Sequence, residues 1–198
     1  MSGHPLPPRP ESWVTPCPLD RGGGLWVEPG GFHVDPVRPV DRAVITHGHS
    51  DHARPGHAHV LATPGTLAIM RTRLGDQAGL HQQALDYHRP LTMGEVTLRF
   101  VPAGHVLGSA QVLEWRGSRV VVSGDYKRRP DPTCAPFEPV PCDAFITEAT
   151  FGLPVFRHPP DGEEVGKLLH SLALFPERTH VVGVYALGKC QRLIALLR

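Results

Sequence analysis

The stretch Ala43-Val44-Ile45-Thr46-His47-Gly48-His49-Ser50-Asp51-His52 decides how the rest of the chain is read. Its first four residues are a short apolar run, the pattern of a buried strand, and a loop rich in glycine and histidine follows at once. In extended backbone, residues two apart point the same way, so His47 and His49 can offer both imidazoles to one metal ion. Gly48 between them leaves the backbone room to bend. A turn beginning at Ser50 would swing Asp51 and His52 to another side, where they can serve a second ion. Isolated, a His-x-His pair says little; the full His-x-His-x-Asp-His spacing behind an apolar strand is specific.

Each ion of such a pair needs four or more donors, more than one loop supplies. His105 lies in the glycine-flanked loop Pro102-Ala103-Gly104-His105-Val106-Leu107-Gly108-Ser109, between two expected strands. Asp125 lies in Ser123-Gly124-Asp125-Tyr126, directly beyond the buried run Val120 to Val122. A carboxylate there can bridge two cations, which a neutral imidazole cannot. The other histidines, His57, His59, His81, His88, His158, His170 and His180, match no ligand motif and read as surface or satisfied structural residues.

Composition sets the frame around these motifs. The chain has 198 residues, with 21 Gly and 22 Pro pointing to abundant loops, and 13 His against 20 Lys and Arg combined. The formal net charge of +1 excludes a global field that would draw it onto a polyanion. Nucleic-acid contact would have to be local, and Lys127-Arg128-Arg129 is the densest basic spot; a solvated charge run is the plainer alternative. Met1 to Trp13 lacks the apolar core of a secretory signal, and no apolar run reaches the roughly 18 residues of a membrane span. Cys17, Cys134, Cys142 and Cys190 form no Cys-x-x-Cys and read as free thiols. A cytoplasmic protein without membrane contact is expected.

The spacing predicts strands over Ala43 to Thr46, His59 to Ala62, Glu95 to Val101 and Ala144 to Thr147. It also predicts a hairpin of Gln111 to Trp115 and Arg119 to Val122 around Arg116-Gly117-Ser118. Thr63 as cap and Pro64 as first residue open a helix with Leu67, Met70 and Leu74 on one face. Asp161 with Glu164 resembles a capping box for a helix with the stripe Val165, Leu168, Leu169 and Leu172. Val181 to Tyr185 reads as a buried strand. Leu187, Cys190, Ile194 and Leu197 space a last helix, whose stripe still runs at Arg198 without a cap, as in a piece of a longer protein.

In order and spacing, the loop His47 to His52 with His105 and Asp125 resembles the metallo-β-lactamase fold. That resemblance implies an α+β (α/β) αββα sandwich with a binuclear site at one edge. Asp35, in Phe32-His33-Val34-Asp35-Pro36, matches the family's first motif, which implies an aspartate orienting the ligand loop from behind. Thr147-Glu148-Ala149-Thr150-Phe151-Gly152 resembles the acidic motif that opens the β-CASP insertion of nucleic-acid-processing members. Gly183-Val184-Tyr185-Ala186-Leu187-Gly188-Lys189 resembles a segment of the DNA-repair nucleases related to Artemis. With Ser123 to Lys127 and Asp131 to Pro139, the chain is most similar to bacterial DNA ligase-associated exonucleases. The resemblance runs from about Trp13 to the end. It implies residues 1–150 as the N-terminal portion of the sandwich and 151–198 as the start of a truncated insertion.

The resemblance implies a DNA exonuclease of DNA repair with a DNA ligase as functional partner. Its cofactors would be two divalent ions, zinc first, with manganese or magnesium as alternatives. The expected ligands are His47, His49, Asp51, His52, His105 and Asp125, with hydroxide on the metal attacking phosphorus. Asp51 and Asp125 would hold water and ions, and Glu148 would orient a metal-site histidine. Lys127 and Arg128 would meet phosphates, as would Lys189 at a helix start. An RNA-processing nuclease, a thioester hydrolase of the same fold and an inactive metal-binding fragment are the alternatives. One well-formed ion position and one open position are expected in the chain alone.

Overall fold

The computed structural model describes residues 13–115 and 117–198. They form two compact units, one of 13–130 with 134–148 and the other of 131–133 with 149–198. Arg116, in the expected hairpin turn, and most of the N-terminal approach lie outside the described residues.

The first unit is built on two sheets. Six strands, β1 (Val14–Pro16), β2 (Leu25–Val27), β3 (Phe32–Val34), β4 (Arg42–Val44), β5 (His59–Ala62) and β6 (His81–Ala84), lie side by side in chain order. β3 to β6 are mutually parallel. The second sheet is ordered β11 (Ala144–Ile146), β10 (Ser118–Val122), β9 (Ala110–Trp115), β8 (Val96–Pro102) and β7 (Pro90–Met93). There β8, β10 and β11 share one direction, because β9 is antiparallel to both its neighbours and β11 is parallel to β10.

Strand alternation divides the apolar residues between two interfaces. Val44 and Leu61 face the second sheet, meeting the cluster of Phe32, Leu98, Phe100, Val120 and Val122. Their neighbours Ala43, Val60 and Ala62 face the other way, onto Leu67 and Met70 of helix α1 (Pro64–Leu74). The result is a layer order of helix, sheet, sheet. α1 begins as its sequence predicts: Thr66 N–H donates to the Thr63 hydroxyl at 3.2 Å, with Pro64 in the first turn. β8 buries Val96, Leu98 and Phe100 against the first sheet, alternation sends Val101 to Val121 on the other face, and the pairing with β9 shifts register between Leu98 and Val101.

In the second unit, helices α2 (Asp161–Leu174) and α3 (Lys189–Leu196) bury no residue fully. Three expectations need correction there. Asp161 is the first helical residue and Pro160 the cap, with no side-chain cap bond, because the Asp161 carboxylate is taken by Arg192 of α3. Leu169 and Leu172, on the expected apolar stripe of this helix, are exposed rather than packed. Val181 to Tyr185 is neither strand nor buried; a strand needs a neighbour for its ladder, and no described strand pairs with it. No described helix is long and apolar enough to cross a membrane.

Leu98, fully buried between the sheets, and Met70, fully buried under α1, serve separate interfaces. Leu98→Ala and Met70→Ala should each lower unfolding free energy by about 2–5 kcal/mol, nearly additively, in urea titrations.

Candidate metal centre

The parallel relations above bring several strand ends to one edge. β3 delivers Asp35, β4 the loop from Ile45, β8 the loop with His105, β10 Asp125, and β11 Glu148. Ala110 N–H donates to Thr46 O at 2.9 Å and ties the two sheets, and Lys127 N–H donates to Ala103 O at 3.0 Å and ties the loops after β10 and β8.

Beyond β4 the chain stays pinned, with Ile45 N–H donating to Leu61 O, and then turns through bonds from the amides of His52 and Ala53 to His49 O. This turn separates His47 and His49 from Asp51 and His52. Gly48 has an ordinary backbone conformation; its need is space, since a Cβ would stand 2.6 Å from Ile69 on α1. Arg73, in the last turn of α1, donates to Gly48 O at 2.7 Å and fixes the loop from outside.

Four donor atoms converge there: those of His47, His49, His105 and Asp125 all lie within 4.8 Å of one another. His47 Nε2 and His105 Nε2 stand 3.0 and 3.1 Å from His49 Nδ1. Asp125 Oδ2 is 3.5 Å from His105 Nε2 and 3.9 Å from His47 Nε2. Donors about 2.1 Å from a tetrahedral ion are separated by roughly 3.4 Å, which these separations bracket, so the set could hold zinc. Without an ion, His49 Nδ1 offers a single lone pair or a single proton to two facing ring nitrogens, so the two contacts cannot both be full hydrogen bonds.

Electrostatics favour the ligand form. Burial pushes His47 far below the ordinary imidazole value, helped by the charges of His52 and His105. His105 is lowered to about 4, chiefly by burial, against Asp125 and with His49, Lys127 and His52. Both are therefore neutral at pH 7 and keep a lone pair. For His52, burial opposes charge, but hydrogen bonds to Asp125 and Asp35 outweigh it and raise its pKa to about 10. Its Nδ1 lies 2.7 Å from Asp35 Oδ2, which leaves Nε2 facing Asp125 Oδ1 at 3.3 Å and Asp51 Oδ2 at 3.9 Å. Hydrogen bonding to His52 in turn keeps Asp125 ionised.

Asp125 thus turns Oδ2 to His47 and His105 and Oδ1 to His52, so that it could serve an ion on either side. Asp51, His52 and Asp125 could hold a second ion with fewer protein donors, on a more open side. With Glu148 they line a cleft of about 320 Å³. Lys127 is near enough for its charge to act on His105, and Arg128 beyond it is exposed. Lys189 belongs to the second unit, where its Nζ sits 4.4 Å over the Tyr185 ring.

Several supporting residues escape a reading by motif. The Thr46 hydroxyl and amide both donate to Asp35, at 2.6 and 2.8 Å, although Thr46 reads from sequence as a strand end. The Ser109 hydroxyl accepts from the amides of His105 and Val106 at 3.0 and 3.2 Å, a loop staple that its place four residues past His105 could have signalled. Arg73 gave no signal, because the spacing that brings it to Gly48 is tertiary. His57 corrects the expectation of a surface or satisfied residue: it is fully buried, accepts from Val40 N–H at Nδ1, and has no partner at Nε2.

No protein-family model matches the chain. Over 183 residues, 88% of its length, it is 33% identical to a protein of Opitutus terrae named "Probable DNA ligase", of which it covers 17%. Over 121 residues, 58% of its length, it is 35% identical to "Endoribonuclease YSH1" of Gibberella zeae, covering 14% of that protein. The chain therefore spans only a small part of the curated relatives it matches. Its facing sheets and the order of its ligand-type residues are similar to those of the metallo-β-lactamase fold. Among solved structures, Zn(2+)-bound PqqB from Methylobacterium extorquens overlaps 43% of this chain and 37% of its own, at a TM-score of 0.33 and 16% identity.

Two substitutions test the support of the centre. Asp35→Asn should bring the His52 pKa of the metal-free chain down from about 10 toward the ordinary value, read by NMR titration. The stability His52 contributes is present below its unfolded value near 6.5 and lost as pH rises through about 10, so the variant's deficit should be largest at neutral and acid pH. Gly124 has φ 52°, and a Cβ there would meet Thr46 Oγ1 at 2.5 Å. Gly124→Ala should weaken zinc binding by about 10- to 100-fold, read by competition with a chromophoric chelator.

Proposed function

We propose that this chain supplies the metal-binding part of a nuclease that hydrolyses phosphodiester bonds, acting on DNA as an exonuclease in repair, beside a DNA ligase. The observation that carries the reading is the meeting of three imidazoles and Asp125, itself shared with His52, at the mouth of an open cleft. The nitrogen-rich donor set suits zinc, and the oxygen-richer position of Asp51, His52 and Asp125 would also accept manganese or magnesium. Two such ions, when bound, acidify water toward a pKa of about 7 and offset charge on the phosphate oxygens.

The chain's own groups do the rest. His47 and His105, neutral through burial, keep lone pairs for ligation at pH 7. Asp35 fixes the ring of His52 so that Nε2 faces the cleft. Asp125 spans the two positions, and Asp51, largely exposed, would accept a proton or hold the attacking water. Glu148 on the cleft wall would steer the remaining imidazole geometry. Ser123, beside these groups, has its hydroxyl committed to Gly124 O at 2.6 Å, so it does not compete as nucleophile. Lys127 and Arg128 would engage flanking phosphates.

DNA is favoured because the likeness spanning 88% of the chain is to a protein named for DNA. RNA is the second reading, supported by the likeness to a protein named as an endoribonuclease. Single-stranded DNA, RNA and a thioester, offered side by side to the zinc- or manganese-loaded chain, separate the readings. DNA cleavage is expected, abolished by His49→Ala together with loss of about one bound ion, and abolished reversibly by chelator. Thioester turnover without phosphodiester cleavage would overturn the proposal, and so would bound metal with no hydrolysis of any substrate.

A further inference from the structure

We infer that Tyr126, Phe137 and Phe145 form a stacking surface for an unpaired base next to the phosphate handled at the metal centre, an inference that rests on the nuclease reading above. Tyr126 lies between the other two rings, its centroid 5.3 Å from that of Phe137 and 6.0 Å from that of Phe145. None of the three belongs to the buried clusters of the first unit. On β11, Ala144 and Ile146 turn inward onto the core between the sheets, so alternation sends Phe145 outward, where it is 44% exposed.

The position of this cluster ties it to the centre. Tyr126 directly follows Asp125. Phe137 packs on the His105 loop so closely that a Cβ on Gly104 would stand 2.8 Å from Phe137 N and 2.4 Å from Lys127 O. Phe137 thus adjoins the His105 loop through its backbone and Cβ, and Tyr126 adjoins Asp125 along the chain. Lys127, Arg128 and Arg129 follow Tyr126 directly along the chain, and Arg128 is exposed, so the segment that carries the central ring also carries positive charge.

Charge complementarity selects the occupant. With a net charge of only +1, the chain has no long-range pull on a polyanion, and a short basic run could meet phosphates but would not contact bases. Rings supply what cations cannot, because every base has a face to stack and an unpaired strand presents it freely. Aromatic surface beside a short basic run therefore fits one strand of nucleic acid better than a duplex, whose bases are stacked on each other.

The test uses the zinc-loaded full chain with a phosphorothioate-protected oligonucleotide carrying 2-aminopurine, and an abasic oligonucleotide of equal length. The chain and its Tyr126→Phe variant should quench the 2-aminopurine. Tyr126→Ala should lose the quench and bind the base-bearing strand on the order of 10-fold more weakly, with the abasic strand bound equally by all three. Phe145→Ala, at an exposed position, should reduce the quench partway. Unchanged quench and affinity in both alanine variants would overturn the stacking surface and leave the nuclease reading standing. Equal weakening toward both strands would overturn it too, as an effect on the loop. Failure of the unaltered chain to bind either strand would bring down the nuclease reading and this inference together.

Discussion

Everything at the centre hangs on the carboxylate of Asp35. It accepts from the amide and hydroxyl of Thr46 and stands 2.7 Å from His52 Nδ1, so one side chain at the end of β3 fixes both arms of the ligand loop. Its own backbone is held by a bond from its amide to Val44 O, in a left-handed conformation with φ 47°. An aspartate tolerates that conformation better than most residues, yet it is a strained state that surrounding contacts must hold. Removing the carboxylate would leave Thr46 and His52 without the acceptor that aligns them, although neither the donors nor their order along the chain would change.

From that clamp follows the division of labour between imidazoles on one short loop. His47 is driven neutral by burial, while His52, five residues on, is held charged in the metal-free chain by two carboxylates. The same residue type thus takes opposite states because the turn from His49 to Ala53 sends one ring inward and the other to the cleft wall. Asp125 joins the two environments, one oxygen to each. A cationic His52 beside Asp125 would have to give up its Nε2 proton before that nitrogen could ligate an ion.

Much of this was legible in the sequence because the information is local. The apolar run before His47 and the turn after His49 place four of the expected ligand residues within six positions, and the other two follow in the short loops just beyond β8 and β10. Thr63 and Pro64 announce α1 through the backbone chemistry of a helix start. The misreadings come where a partner decides. Asp161 looks like a cap until Arg192, thirty-one residues away, claims its carboxylate. Val181 to Tyr185 has the composition of a strand but no described neighbour to complete the ladder. β1 to β3 were obscured by a glycine- and proline-rich segment whose strands are three residues each, too short to show a period.

The second unit takes up Asp131 to Thr133 from the middle of a segment otherwise belonging to the first. Arg192 makes that possible, setting its guanidinium against Asp161 and, at 3.6 Å, against Asp131, whose carboxylate also accepts from the amide and hydroxyl of Thr133. Order along the chain and membership in a folded unit therefore diverge. A single proteolytic nick after Glu148 would not divide the molecule into its two natural pieces, since the shorter fragment would leave one of its own turns behind. The chain passes from one unit to the other three times, and each passage must be cut before either piece is whole.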